Sequence, residues 1–206
     1  GSIYIAGTGE GNFDGEKNNG LYTAFASKFS TDGEKLWTKI VGGNEVPRDS
    51  ATSITIGSDG SIYIAGSTQG NIDGLTNNSY DADDFITKFN TNGNKEWTRL
   101  LDIEKQYNES LYPSLTSGND GSIYITGFYT EEYGIERYPY ISKFTSNGEK
   151  EWTETFGESS YPFDINTHSS DGSIYIAGYT KEDLNGETNS SSNAAFLIKR
   201  IENGNP

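Results

Sequence analysis

The sequence has no cysteine and no methionine. The first absence excludes disulfides, thiol nucleophiles and Cys-ligated zinc or iron. The second extends to position 1, so these 206 residues are expected to be a piece of a longer chain. Histidine occurs once, as His168. A Ser–His–Asp triad would have to be built on that single ring. It stands in a Thr-His-Ser-Ser run before a turn, a setting for an exposed or capping residue. No apolar run approaches 18 residues, so no membrane insertion is expected. Bases are outnumbered by acids, 15 to 30, for a net charge of −15. That charge repels a phosphate backbone and an anionic bilayer, which excludes nucleic acid as an expected partner. Cations are the natural counter-partners.

What is present is a repeat. GSIYIAG occupies 1–7, 60–66 and 172–178, and GSIYITG occupies 121–127. Each copy brings companions: an aromatic segment (FASKF 25–29, FITKF 85–89, YISKF 140–144, FLIKR 196–200) and then a Trp segment (DGEKLWTKI 32–40, NGNKEWTRL 92–100, NGEKEWTET 147–155). A variable segment leads into the next copy over 51–60, 112–121 and 163–172. Alternation puts Ile62 and Ile64 on one face and Tyr63 and Ala65 on the other, so both faces of this strand are expected to be covered. Asp-Gly and Asn-Gly pairs between segments are hairpin turns. No window has an apolar period of 3.6, so no helix is predicted. Each unit therefore reads as four antiparallel strands. A four-stranded sheet recurring about every 50–60 residues is the unit of a β-propeller. The fold class is all-β, with units at 1–46, 47–105, 106–158 and 159–206 forming one domain. Charges two residues after each Trp (Lys39, Arg99, Glu154) are expected to blunt an exposed edge. The first unit lacks a variable strand and the fourth a Trp strand. The expectation is 14 strands in an open arc of about four blades from a larger propeller.

The motifs DGSIYIAG, G-N-x-D-G-x-x-N-N, F-I-T-K-F and N-G-x-K-x-W-T-R-L resemble β-propeller repeats of bacterial, notably cyanobacterial, secreted and surface proteins. The resemblance covers nearly the whole chain and implies a secreted or cell-surface location. That family is often regarded as seven-bladed. The G-x-x-x-W element also resembles the tryptophan-docking motif of quinoprotein dehydrogenase propellers, where the Trp holds neighbouring blades together. It implies the same structural role for Trp37, Trp97 and Trp152, and no quinone cofactor.

Candidate ligand residues lie in the loops GNFDGEKNN (11–19), GNIDGLTNN (70–78) and EDLNGETNS (182–190). Oxygen-bearing side chains two apart, followed by Gly, recur in Ca²⁺ loops. The pairs are Asn12 and Asp14, Asn71 and Asp73, Asp183 and Asn185. Each holds one carboxylate, so any Ca²⁺ would bind weakly, with Asp81, Asp83 or Asp84 as possible recruits. The competing reading is an Asx-turn without metal. Tyr129, Tyr133 and Tyr138 are the residues best suited to stacking on a sugar. Sequons occur at Asn77, Asn108 and Asn189. The chain thus reads as a non-catalytic scaffold or interaction module, calcium-tuned at most, with a protein or glycan partner. The alternatives are a fragment of a propeller enzyme, hydrolase or quinoprotein-like, and a lectin-type propeller.

Overall fold

The computed structural model describes residues 1–12, 14–18, 20–42, 48–78, 82–103, 112–130 and 136–201. Among them are fourteen strands and no helix. These are β1 (Ile3–Gly9), β2 (Thr23–Phe29), β3 (Lys35–Val41), β4 (Asp49–Ile56), β5 (Ile62–Thr68), β6 (Asp83–Phe89), β7 (Lys95–Leu100), β8 (Ser114–Ser117), β9 (Ile123–Thr130), β10 (Arg137–Phe144), β11 (Lys150–Thr155), β12 (Ser160–Thr167), β13 (Ile174–Thr180) and β14 (Ala194–Arg200). They form four antiparallel sheets, each made of strands consecutive in sequence, and no sheet closes on itself. Sheet 1 is β1–β3, sheet 2 β4–β7, sheet 3 β8–β11 and sheet 4 β12–β14.

Register gives each sheet two distinct faces. Ile62 lies opposite Phe89, Ile64 opposite Thr87 and Gly66 opposite Phe85, and these residues make the front face. Tyr63, Ala65, Ile86 and Lys88 alternate with them on the back face, where Trp97 lies opposite Lys88. The front of each sheet packs on the back of the one before it. Tyr4, Ala6, Ala26 and Trp37 of sheet 1 meet Ile62, Ile64 and Phe89 of sheet 2. Tyr63, Ala65 and Ile86 meet Ile123, Ile125 and Phe144 of sheet 3. Tyr124, Ile141 and Trp152 meet Ile174, Ile176 and Phe196 of sheet 4. Every fully buried Ile or Phe in these layers contributes about 1.5–3 kcal/mol. All seven residues of β5 are buried, as apolar residues on both faces predict, and so are all seven of β6, Asp83, Asp84 and Lys88 included. β1 shares IYIAG with β5 but is open on its front.

The variable strands are offset from the segments expected, with β4 starting at Asp49 and β12 at Ser160. β4, β8 and β12 end before the Asp-Gly pairs, which form the turns. Their Ser and Thr residues tie one sheet to the next. Thr52 Oγ1 donates to Pro113 O (2.7 Å), Ser117 Oγ to Ile56 O (2.8 Å) and Thr167 Oγ1 to Ser117 O (2.7 Å). The backbone N–H of Leu115 donates to Ser53 Oγ (3.1 Å). The charges expected at an exposed edge also work between elements. Arg99 Nε donates to Gly148 O (2.8 Å), Glu154 accepts from Arg200 (2.7 Å) and Lys39 pairs with Glu16. β3, β7 and β11 are the outer strands of their sheets, as expected, and the same charges tie them to neighbouring loops and strands.

Candidate functional site

Three of the four units carry the candidate loop, and in all three it folds alike. Asn12 Oδ1 accepts the N–H of Asn18 (3.0 Å), Asn71 Oδ1 that of Asn77 (3.1 Å), and Asp183 Oδ1 that of Asn189 (2.8 Å). The first member of each pair is thus a clasp across six residues. The second member, Asp14, Asp73 or Asn185, has φ near +50°, and the Gly after it also has positive φ. Two successive positive φ values make the type I′ turn that Asp-Gly and Asn-Gly favour. The turn is closed by paired backbone bonds between Ile72 and Leu75 and between Leu184 and Glu187. It drives Ile72 and Leu184 into the core.

The Asp carboxylates face cations supplied by the protein. Asp14 pairs with Lys35 and Asp73 with Lys95, and Asp73 also accepts from Thr98 Oγ1. Hydrogen bonds from Lys35 and then Thr38 hold the Asp14 carboxyl below the usual carboxylate range. Each Lys stands two residues before a Trp, in N-G-x-K-x-W or D-G-x-K-x-W. That spacing was the available signal for this pairing. Lys150, the equivalent in the unit without the loop, donates instead to Leu101 O (2.9 Å). Of the proposed recruits, Asp84 lies on the back face of sheet 2, away from the front-face Thr98 that Asp73 meets. Asp81 lies outside the described residues, as do Tyr133 and Asn108. The other two sequon amides are engaged: Asn77 Nδ2 donates to Thr68 O (3.2 Å) and Asn189 Nδ2 to Thr180 O (3.1 Å). No group of three or more His, Cys, Asp or Glu able to hold a metal ion occurs among the described residues.

The Trp residues are half-buried on the back faces. Trp37 lies over Gly93 and Trp97 over Gly148, in the next sheet's turn. A Cβ on either glycine would sit 2.9 Å from the indole. Trp37 Nε1 donates to Thr91 O (3.4 Å) and Trp97 Nε1 to Ser146 O (3.3 Å). The Lys of F-x-[ST]-K-F reaches the same carbonyls: Lys28 to Thr91 (3.0 Å) and Lys88 to Ser146 (3.2 Å). Each such Lys also lies over the Tyr of its own GSIYIAG copy, at 5.5–5.9 Å for Lys28, Lys88, Lys143 and Lys199. Trp152 packs with Tyr124 (6.3 Å) against the sheet 4 layer.

Two polar features were not anticipated. Asp83 is buried at the start of β6, with Oδ1 unpartnered and Oδ2 accepting the N–H of Asp102 (3.3 Å). Burial pushes its carboxyl up to about 6. An open cleft of about 490 Å³ is lined by Glu136, Glu158, Glu182 and Asp183. His168 is exposed and bonded to Ser170 (2.9 Å) and Asp171 (3.2 Å) in its turn. Tyr129 and Tyr138 stack on each other at 5.3 Å.

No family model matches the sequence, and no curated protein matches it. Among solved structures, a protein of unknown function from Bacteroides caccae resembles it with a TM-score of 0.44 at 12% identity, over 97% of this chain and 73% of that one.

Proposed function

We propose that the chain is a non-catalytic, propeller-type repeat scaffold that presents interaction surface on a secreted or cell-surface protein. One observation carries the reading. The chemistry-bearing side chains that recur from unit to unit are paired with one another: Asp14 with Lys35, Asp73 with Lys95, and Trp37, Trp97, Lys28 and Lys88 with the next sheet's turn. Recurrent residues brace each unit from within or join it to the next, and what differs between units is left for recognition. The acidic cleft of Glu136, Glu158, Glu182 and Asp183 is one such difference, suited to a basic protein segment. Calcium at Asp14 or Asp73 would have to displace a lysine, so it acts only as a weak ligand. The secreted or surface setting rests on the resemblance of the repeats.

A scaffold of equivalent units tolerates loss of one. Deleting 60–120 joins Asp59 to Gly121 and sets Ile123, Ile125 and Phe144 against the back of sheet 1, where Ile62, Ile64 and Phe89 had been. Deleting 121–171 joins Asp120 to Gly172 in the same way. Both variants are expected to give all-β circular dichroism and a single cooperative melt. Failure of both to fold would refute interchangeable units.

A further inference from the structure

Five asparagines are followed by glycine: Asn19, Asn92, Asn147, Asn185 and Asn203. The first and the last lie outside the described residues. With no Cβ on the following residue, its backbone nitrogen approaches the asparagine side-chain amide without steric hindrance. The three described pairs share this local chemistry, and the tertiary structure separates them.

Asn92 and Asn147 stand in the hairpin turns that lie beneath the indoles. The N–H of Gly93 donates to Asn90 O (2.9 Å) and that of Gly148 to Thr145 O (2.9 Å). Both glycines are buried, and a Cβ on either would sit 2.9 Å from the ring of Trp37 or Trp97. A nitrogen held in this way neither sheds its proton to water nor swings toward the side chain. Ring closure at these two pairs therefore waits for the turn to open. Asn185 differs on each count. Among the described residues, nothing accepts the N–H of Gly186, and no hydrogen bond engages the Asn185 amide. Both residues are exposed, and no atom lies within 4 Å of where a Gly186 Cβ would be. Gly74 has the same open surroundings although sheet 2 is packed on both faces. The openness thus belongs to the loop itself and does not depend on what lies beyond sheet 4.

We propose that Asn185 is a site of spontaneous deamidation, the one of these three asparagines that the fold leaves reactive. The Gly186 nitrogen gives up its proton and bonds to Asn185 Cγ. The Cγ–Nδ2 bond breaks, and Nδ2 takes up a proton and leaves as ammonia. Water then opens the five-membered imide at either carbonyl. Attack at Cγ gives Asp, and attack at the backbone carbonyl gives isoaspartate. Asp is the residue that the equivalent loops carry at Asp14 and Asp73, so this product fits the turn. Isoaspartate lengthens the backbone of a turn whose span is fixed by the paired Leu184 and Glu187 bonds, and it loosens the loop. Either product adds a negative charge next to Glu182 and Asp183 on the wall of the acidic cleft.

Tryptic peptide mapping after incubation in warm, mildly alkaline buffer reads each pair on its own fragment: 89–95 for Asn92, 144–150 for Asn147 and 182–199 for Asn185. Fragmentation in the mass spectrometer separates Asn185 from Asn189 and Asn193. The chain unfolded in guanidinium chloride is the reference, because there all three pairs are exposed alike. In the folded protein Asn185 is expected to react about tenfold or more faster than Asn92 and Asn147, and in the unfolded chain the three rates converge. Equal rates in the folded protein overturn the inference, as does an Asn185 that stays intact while Asn92 or Asn147 reacts. A folded-state preference for Asn185 that the unfolded chain reproduces also overturns it, because the fold would then play no part. Both unit deletions proposed above retain residues 182–190, so their failure to fold and a failure of this selectivity are separate results.

Discussion

Replacing Trp97 by Ala tests how consecutive sheets are held. The indole packs on Tyr63 at 5.8 Å, carries the Arg99 guanidinium at 5.3 Å and covers Gly148 in the next sheet. Burying a whole Trp makes its truncation cost about 3–5 kcal/mol, and this ring is half-buried, so the lower part of that range applies. The lost indole hydrogen bond adds little, because Ser146 O keeps its bond from Lys88 (3.2 Å). The expected loss is about 3 kcal/mol. Gly148→Ala attacks the same contact from the other side. Its φ of 79° costs a side chain about 1–2 kcal/mol, and the new methyl would lie 2.9 Å from the indole. Overpacking adds about 1–3 kcal/mol. With Trp97 already truncated, the overlap with the indole disappears, leaving the φ cost and a close contact with Arg99 Nε at 3.2 Å. The double variant should therefore be more stable than the sum of the singles by about 1–2 kcal/mol. Urea melts followed by circular dichroism measure all four corners. A loss under about 1 kcal/mol for Trp97→Ala, or strict additivity in the double variant, would refute a wedge between sheets.

Two further outcomes follow from the buried acid and the loops. Asp83 has its folded pKa raised from 3.8 to about 6, so the native state holds the proton more tightly than the unfolded chain. Its contribution is fully favourable below about pH 4 and is lost as pH rises through about 6, a swing of roughly 3 kcal/mol. Asp83→Asn should remove that slope and be more stable than wild type at pH 7.5 in melts taken every half unit of pH. An unchanged difference between the two proteins from pH 4 to 7.5 would contradict a buried, titrating Asp83. Calorimetric titration with calcium should give a dissociation constant no tighter than about 10⁻⁴ M, and Lys95→Ala should strengthen it by freeing Asp73. Micromolar binding by the wild type would mean that Lys95 does not hold Asp73 in solution.

Strand identity was legible in the sequence because it is a local matter. Alternation in Ile62–Ala65, the Asn-Gly and Asp-Gly turns and the fourfold recurrence of GSIYIAG sufficed to predict fourteen strands, no helix and the order within each sheet. The Asx-turn expected at Asn12, Asn71 and Asp183 takes another form, since each side chain accepts the N–H six residues on instead of two, while the type I′ turn that follows was legible because it needs only residues within one loop. Two things needed the tertiary structure. One is where a charge points. Lys35 and Lys95 are some twenty residues from Asp14 and Asp73, and only the return of the Trp strand beside the loop turns candidate ligands into ion pairs. Arg99, expected to guard an edge, crosses to Gly148 for the same reason. The other is exposure. Ile5, Ile64 and Ile125 are identical residues in near-identical strands, yet the latter two are fully buried and Ile5 is not. Sequence sets the chemistry of a strand's two faces, but burial depends on whether another sheet lies against them, and that is a property of the stack.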